Sequence, residues 1–172
     1  EVQEIITLPS YRKTGGDIDI DSIELDPKVV DQLRTYVSVL ASLYRDNPFH
    51  NFEHASHVTM SVTKLLSRIV APDMAQLGGK SDAKCLHDHT YGITSDALTG
   101  FAVVLSALIH DVDHPGVPNA QLIKEHCLLA DQYHGQSIAE QNSVDLAWDL
   151  LHEPTFKDLR RCIYKTEGEM TR

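Results

Sequence analysis

Apolar positions recur at helical spacing along most of the chain. Val29, Val30, Leu33, Val37, Leu40 and Leu43 fall on one face of a helix whose start is predicted by Asp26 as N-cap and Pro27 at the first helical position. Asn47-Pro48 predicts its stop. A second helix is predicted from about His50 to Val70, with Val58, Val62, Leu65, Leu66 and Ile69 in period and Pro72 just beyond. Ser95 is the expected cap of a third, in which Leu98, Phe101–Leu105 and Ala107–Ile109 put apolar groups on every side. That pattern predicts a central, fully surrounded helix. After the Pro115-Gly116 break, shorter helices are expected from Pro118 to about Cys127, from about Gly135 to Leu151, and after Pro154, where Phe156, Leu159 and Ile163 turn inward. No segment joins strand alternation to hairpin punctuation, and no repeat of fixed period occurs, so the predicted class is all-α.

The remaining stretches lack a period. Residues 1–25 read as an N-terminal connector in which Ile alternates with Asp, and 71–94, with Gly78-Gly79, as a long surface loop. His87 and His89 lie in that loop and read as solvated. A formal charge of -10 disfavours nucleic acid and anionic membranes as partners. Cys85, Cys127 and Cys162 are scattered and odd in number, which suits reduced, mostly core-packing thiols of a cytoplasmic domain. The longest apolar run, Phe101–Ile109, falls far short of the roughly 20 residues a membrane span needs, and no signal peptide is visible. A start at Glu1 rather than Met suggests a piece of a longer protein.

Chemistry concentrates in two places. The apolar third helix ends abruptly in His110-Asp111-Val-Asp113-His114, and the second begins with His50, His54 and His57, three and four residues apart and so on roughly one side. Neutral imidazole and carboxylate are the usual ligands of a zinc-type ion that keeps open positions, and His54, His110 and Asp111 supply three from two helices. A carboxylate has two oxygens, so Asp111 can bridge to a second, harder ion such as Mg²⁺. Two ions about 3.5–4 Å apart clamp a phosphoryl group and ionise a water between them. A lone His at a helix end is more often a capping residue than a ligand. The accumulation here favours metal, because burying so many ionisable groups without a counter-ion is costly. Residue types and spacing thus point to an all-α, metal-dependent phosphohydrolase of undefined substrate.

The two blocks, Phe49-His50-Asn51-Phe52-Glu53-His54-Ala55-Ser56-His57-Val58 and His110-Asp111-Val112-Asp113-His114-Pro115-Gly116-Val117-Pro118-Asn119, resemble the catalytic domain of class I 3′,5′-cyclic nucleotide phosphodiesterases, an HD-type phosphohydrolase fold. The likeness runs from about Leu25 onward and includes Tyr133–Glu140. It implies hydrolysis of cyclic AMP, cyclic GMP or both to 5′-monophosphates by a metal-bridging hydroxide. It further implies that His50 is the proton donor to the leaving oxygen and that His54, His110 and Asp111 are direct ligands. His114 and Glu140 would hold waters of the second ion, and Asn51 and Asn119 would be supporting motif residues. The implied cofactors are Zn²⁺ with Mg²⁺ or Mn²⁺.

The chain also departs from that pattern. Phe49 stands where the family often has Tyr, His57 where many members have Asp, and Gln141-Asn142 where His is frequent. The family's further metal-binding Asp and its purine-reading Gln find no match before Arg172. The resemblance therefore implies that residues 26–172 are the N-terminal part of such a domain, lacking its C-terminal helices, in a parent that can carry regulatory domains or a membrane tether on the cytosolic face. Two other readings stand beside it: a different HD-type nucleotide phosphohydrolase, and a non-catalytic metal-binding regulatory module.

Overall fold

A computed structural model of the protein describes residues 24–69, 87, 90, 92, 93 and 96–164. Residues 1–23 of the connector and most of the loop over 71–94, with Cys85 and His89, lie outside these residues. Every regular element among the described residues is helical: α1 (Pro27–Leu43), α2 (Phe52–Ile69), α3 (Ala97–Ile109), α4 (Asn119–Lys124), α5 (Leu128–Gln132), α6 (Ile138–His152), a 3₁₀ turn (Pro154–Phe156) and α7 (Lys157–Ile163). None of these helices is long and apolar enough to cross a membrane.

Local chemistry explains the boundaries. Asp26 caps α1 by accepting from the Lys28 N–H at 2.9 Å, with Pro27 at the first helical position. Asp96, not Ser95, caps α3, accepting from the Thr99 N–H at 2.8 Å and from its hydroxyl at 2.6 Å. The stretch predicted as one helix to Cys127 stops at Lys124. His126 takes a left-handed φ of 52°, and the Cys127 N–H reaches back to the Leu122 carbonyl at 3.0 Å, a helix-ending geometry. A separate helix, α5, follows and was not foreseen.

The main core gathers Val29, Tyr36 and Leu40 of α1, Ile109 and Val112 at the end of α3, Ala147 and Leu151 of α6, and Phe156 and Leu159. Two phenols tie the layers together: Tyr36 donates to the Ala147 carbonyl at 2.9 Å and Tyr44 to the Leu108 carbonyl at 2.6 Å. Burial pushes both up to about 12, so they stay neutral donors well above physiological pH. A smaller cluster of Leu122, Ala130, Tyr133 and Ile138 sits beneath α4 and α5.

Phe156 is 2% exposed and meets Tyr36 edge-on with centroids 5.5 Å apart. Phe156→Ala is expected to cost about 3–5 kcal/mol, read as a lower midpoint in urea unfolding. Phe156→Leu, which keeps most of the volume, should cost clearly less.

Three expectations need correction. Helix α3 is not surrounded: only Ala107 and Ile109 on it are buried, and one side lines an apolar groove of about 560 Å³ with Val144, Trp148 and Ile163. Its all-round apolar pattern asks for more cover than the described residues supply. Cys162 is exposed rather than core-packed, although it and Cys127 are free thiols. His87 is 2% exposed, not solvated; its carbonyl accepts from the Gly92 N–H at 2.9 Å, so the chain turns back there.

Candidate functional site

The site forms where the start of α2 meets the turn after α3. Asn51 ends the approach to α2 by accepting from the His54 N–H at 2.9 Å, while its amide donates to the Asn47 carbonyl at 3.0 Å. This fixes the first turn of α2 and with it the base of the His54 side chain. At the other wall His110 is the C-cap of α3, and its Nδ1 lies 3.0 Å from the Ala107 carbonyl. A carbonyl only accepts, so Nδ1 carries the proton, and in the neutral ring Nε2 offers a lone pair.

Asp111 lies at the centre and is 6% exposed. Its Oδ2 is 2.9 Å from His50 Nδ1, 3.1 Å from His110 Nε2 and 3.8 Å from His54 Nε2. None of its ion-pair partners among the described residues is a lysine or arginine. When His110 is neutral, its Nε2 points a lone pair at a buried carboxylate 3.1 Å away. That arrangement is favourable when both hold a cation. The donor atoms of His54, His110 and Asp111 all lie within 4.8 Å of one another, and two imidazoles with one carboxylate suit a zinc-type ion with open positions. The residues present therefore fit a divalent metal.

Donor atoms of His50, Asp111 and His114 form a second such group. The rings of His50 and His114 are stacked, however, with centroids 3.8 Å apart and planes only 21° from parallel. Ring lone pairs lie in the ring planes, and these planes do not converge at the roughly 2.0–2.1 Å a zinc–nitrogen bond requires. His114 accepts from the Gly116 N–H through Nδ1 at 3.0 Å. Burial first, and then the neighbouring His50, holds its pKa below the usual imidazole range, so it stays a neutral acceptor.

Glu140 is close enough to His114 to influence that titration. It is aimed by Asn119, whose amide donates to Glu140 Oε2 at 2.9 Å and whose Oδ1 accepts from the Ala139 N–H at 3.0 Å. Asn119 thereby caps α6, because Ser137 sits at a left-handed φ of 40° and makes no side-chain cap bond. His57 is exposed and belongs to neither metal-capable group, whereas Phe49 lies against His54 with centroids 4.4 Å apart.

Among the described residues, the other polar groups around the turn belong to neither metal-capable group. Asp113 adopts φ 58° and is held in a fork by Arg45, Nε to Oδ1 at 2.7 Å and Nη2 to Oδ2 at 3.0 Å, while Asn142 donates to its Oδ2 at 3.2 Å. The buried Ser143 hydroxyl donates between the Val112 and Ala139 carbonyls, at 2.7 and 2.9 Å. Helix α6 is thus bound to the turn from below. Asn142 stands where the resemblance implied His, and it serves the Asp113 carboxylate.

An all-α scaffold that brings two histidines and a buried aspartate together from two helices has a donor set of the kind metal-dependent hydrolases use. The model of the 3′,5′-cyclic nucleotide phosphodiesterase family matches residues 49–170, and the chain belongs to that family. It is 32% identical over 121 residues to the Caenorhabditis elegans protein named probable 3′,5′-cyclic-AMP phosphodiesterase pde-4, covering 70% of this chain and 15% of that one. It is 30% identical over 145 residues to human cGMP-inhibited 3′,5′-cyclic phosphodiesterase 3A, covering 70% and 13%. Among solved structures, the phosphodiesterase domain of the RhoPDE fusion protein of the choanoflagellate Salpingoeca rosetta superposes with a TM-score of 0.63 at 26% identity, covering 86% of this chain and 38% of that one. The chain spans well under a quarter of the length of these curated relatives.

Proposed function

We propose that residues 26–172 are the N-terminal part of a catalytic domain that hydrolyses 3′,5′-cyclic nucleotides to 5′-monophosphates, the reaction for which its relatives are named. The single observation that carries this is the convergence of three imidazole nitrogens on one buried Asp111 oxygen, inside a chain of this family. In this reading His54, His110 and Asp111 would hold a zinc-type ion, and Asp111 would also serve a second ion, Mg²⁺ or Mn²⁺. Bound divalent ions would polarise the phosphoryl group and lower the pKa of a water. His114 and Glu140 would orient water around a second ion, and Asn51 and Asn119 hold the backbone and the Glu140 carboxylate in place. The part is cytoplasmic, in a parent that can carry regulatory domains.

His50 is the proton donor. Its Nδ1 faces the Asp111 carboxylate, which fixes the ring and leaves Nε2 to protonate the departing sugar oxygen. The nearly parallel stack on His114 argues against both rings serving as ligands of one ion.

The test is hydrolysis of cyclic AMP and cyclic GMP by the chain alone and together with any contiguous sequence of its reading frame. Chelator should abolish turnover, and Zn²⁺ with Mg²⁺ or Mn²⁺ should restore it. Metal binding without turnover of either nucleotide would instead favour the non-catalytic regulatory reading.

A further inference from the structure

We infer that Asn47 is a positioning residue that sets the distance between His50 and the Asp111–His114 turn. The inference rests on the proposed role of His50 and extends it to a residue outside the metal-capable groups. Asn47 lies in the connection from α1 to α2, beside Pro48, where a turn residue would need no further purpose. Yet every polar group of its side chain is engaged. Nδ2 donates to the His50 carbonyl at 3.0 Å and to the His114 carbonyl at 3.2 Å. Oδ1 accepts from the Phe49 N–H at 3.2 Å, closing a local Asx turn. Its own carbonyl accepts from the Asn51 amide.

One amide therefore joins the backbone of His50 directly to that of His114, across 67 residues of sequence between Asn47 and His114. The turn also packs on it. Gly116 has a φ of 78°, and a Cβ built there would lie 3.6 Å from Asn47 Cβ and 3.7 Å from its Cγ. The consequence is visible in the side chains: His50 and His114, whose carbonyls share one NH₂ group, stack their rings at 3.8 Å, and His50 reaches Asp111 at 2.9 Å. Arg45 grips Asp113 from the same connection, but its fork binds the two side-chain oxygens and no backbone atom of His50 or His114. Among the described residues, only Asn47 bonds to both. An angstrom of slip between these segments would move a proton donor out of reach, a displacement that costs about 100-fold in rate for a well-oriented group.

Removal of the two donors should release the stack without touching the metal ligands. Asn47→Ala deletes the amide; Asn47→Asp keeps the size and the acceptor for Phe49 but turns an oxygen toward two carbonyls. The experiment follows the carbon-bound ring protons of His50 and His114 by NMR in the chain, assigned with His50→Gln, together with Zn²⁺ affinity. In the wild type each ring is shifted by the ring current of the other. Both Asn47 variants are expected to lose that shift, while the His54 and His110 resonances and Zn²⁺ affinity stay within about 3-fold of wild type, since an orienting partner of a ligand would cost 10–100-fold.

Tyr36→Phe serves as the comparison, because it removes a buried hydrogen bond, to the Ala147 carbonyl, that involves neither Asn47 nor the backbone of the turn. It should lower stability and leave the ring shifts in place. The inference is overturned if either Asn47 variant keeps the His50–His114 shift, or if Tyr36→Phe removes it equally. A wild type that shows the shift but binds no Zn²⁺ would refute the proposed function and leave the positioning result readable by itself.

Discussion

Asp111→Asn is expected to weaken Zn²⁺ binding by more than about 100-fold, measured by calorimetric titration, and yet to leave the metal-free protein as stable as wild type or more so. The opposite signs follow from the same geometry. Loss of an outer partner of a metal ligand typically costs 10–100-fold in affinity, and loss of a direct ligand costs more. Without metal, the ion-pair partners of the buried carboxylate among the described residues are His50, His54 and His110, with no lysine or arginine. Burial of such a charge is unfavourable unless it is well paired, so a neutral amide of nearly the same shape relieves the metal-free state. If Asp111→Asn destabilised the metal-free protein and left Zn²⁺ affinity unchanged, Asp111 would be a structural partner of the histidines and not a ligand.

His50→Gln is expected to lower kcat for cyclic nucleotide hydrolysis by about 10²–10⁴-fold, the usual contribution of a positioned acid, with KM and Zn²⁺ affinity little changed. Glutamine can still donate an N–H toward Asp111, so the geometry at 2.9 Å need not collapse. It cannot deliver a proton to an alkoxide. A phosphodiester with a nitrophenolate leaving group, which departs without protonation, should be cleaved by His50→Gln at nearly the wild-type rate. An equal loss on both substrates would assign His50 to metal binding instead.

How much of this was legible in the sequence depends on the physical signal each residue gives. Asp26-Pro27 announced α1 because capping and a fixed proline φ act locally. The apolar run ending in His110-Asp111 announced a helix that delivers ligand-type side chains to an interior, and His54 comes to within 3.8 Å of the Asp111 carboxylate. The all-α class is what the structure and the family match bear out. Tyr36 was missed because a count of aliphatic positions passes over a phenol whose hydroxyl finds a carbonyl. Asn47 read only as a helix stop, and its partner at His114 is visible only once two distant segments are folded together. The break at His126 gave no signal, since a left-handed φ is usually advertised by glycine. The cover of α3 was overstated for the reverse reason: hydropathy records what a helix would bury, not what is present to bury it.

The closing contact between the two ends of the described chain has a kinetic consequence. Gln32 on α1 receives the Leu159 N–H on its Oε1 at 2.8 Å and donates to Asp158 at 3.3 Å, 127 and 126 residues away. The layer that seats Val112, the residue between Asp111 and Asp113, includes Phe156 and Leu159 and is complete only when α7 docks on α1. Such distant partners delay closure, because the entropy of a long loop is lost before its contacts form. During synthesis at roughly 5–20 residues per second, the His110–His114 turn waits on the order of seconds for its floor. The register of the His110–His114 turn is therefore expected to depend on the docking of α7 on α1, late in the chain though that contact lies.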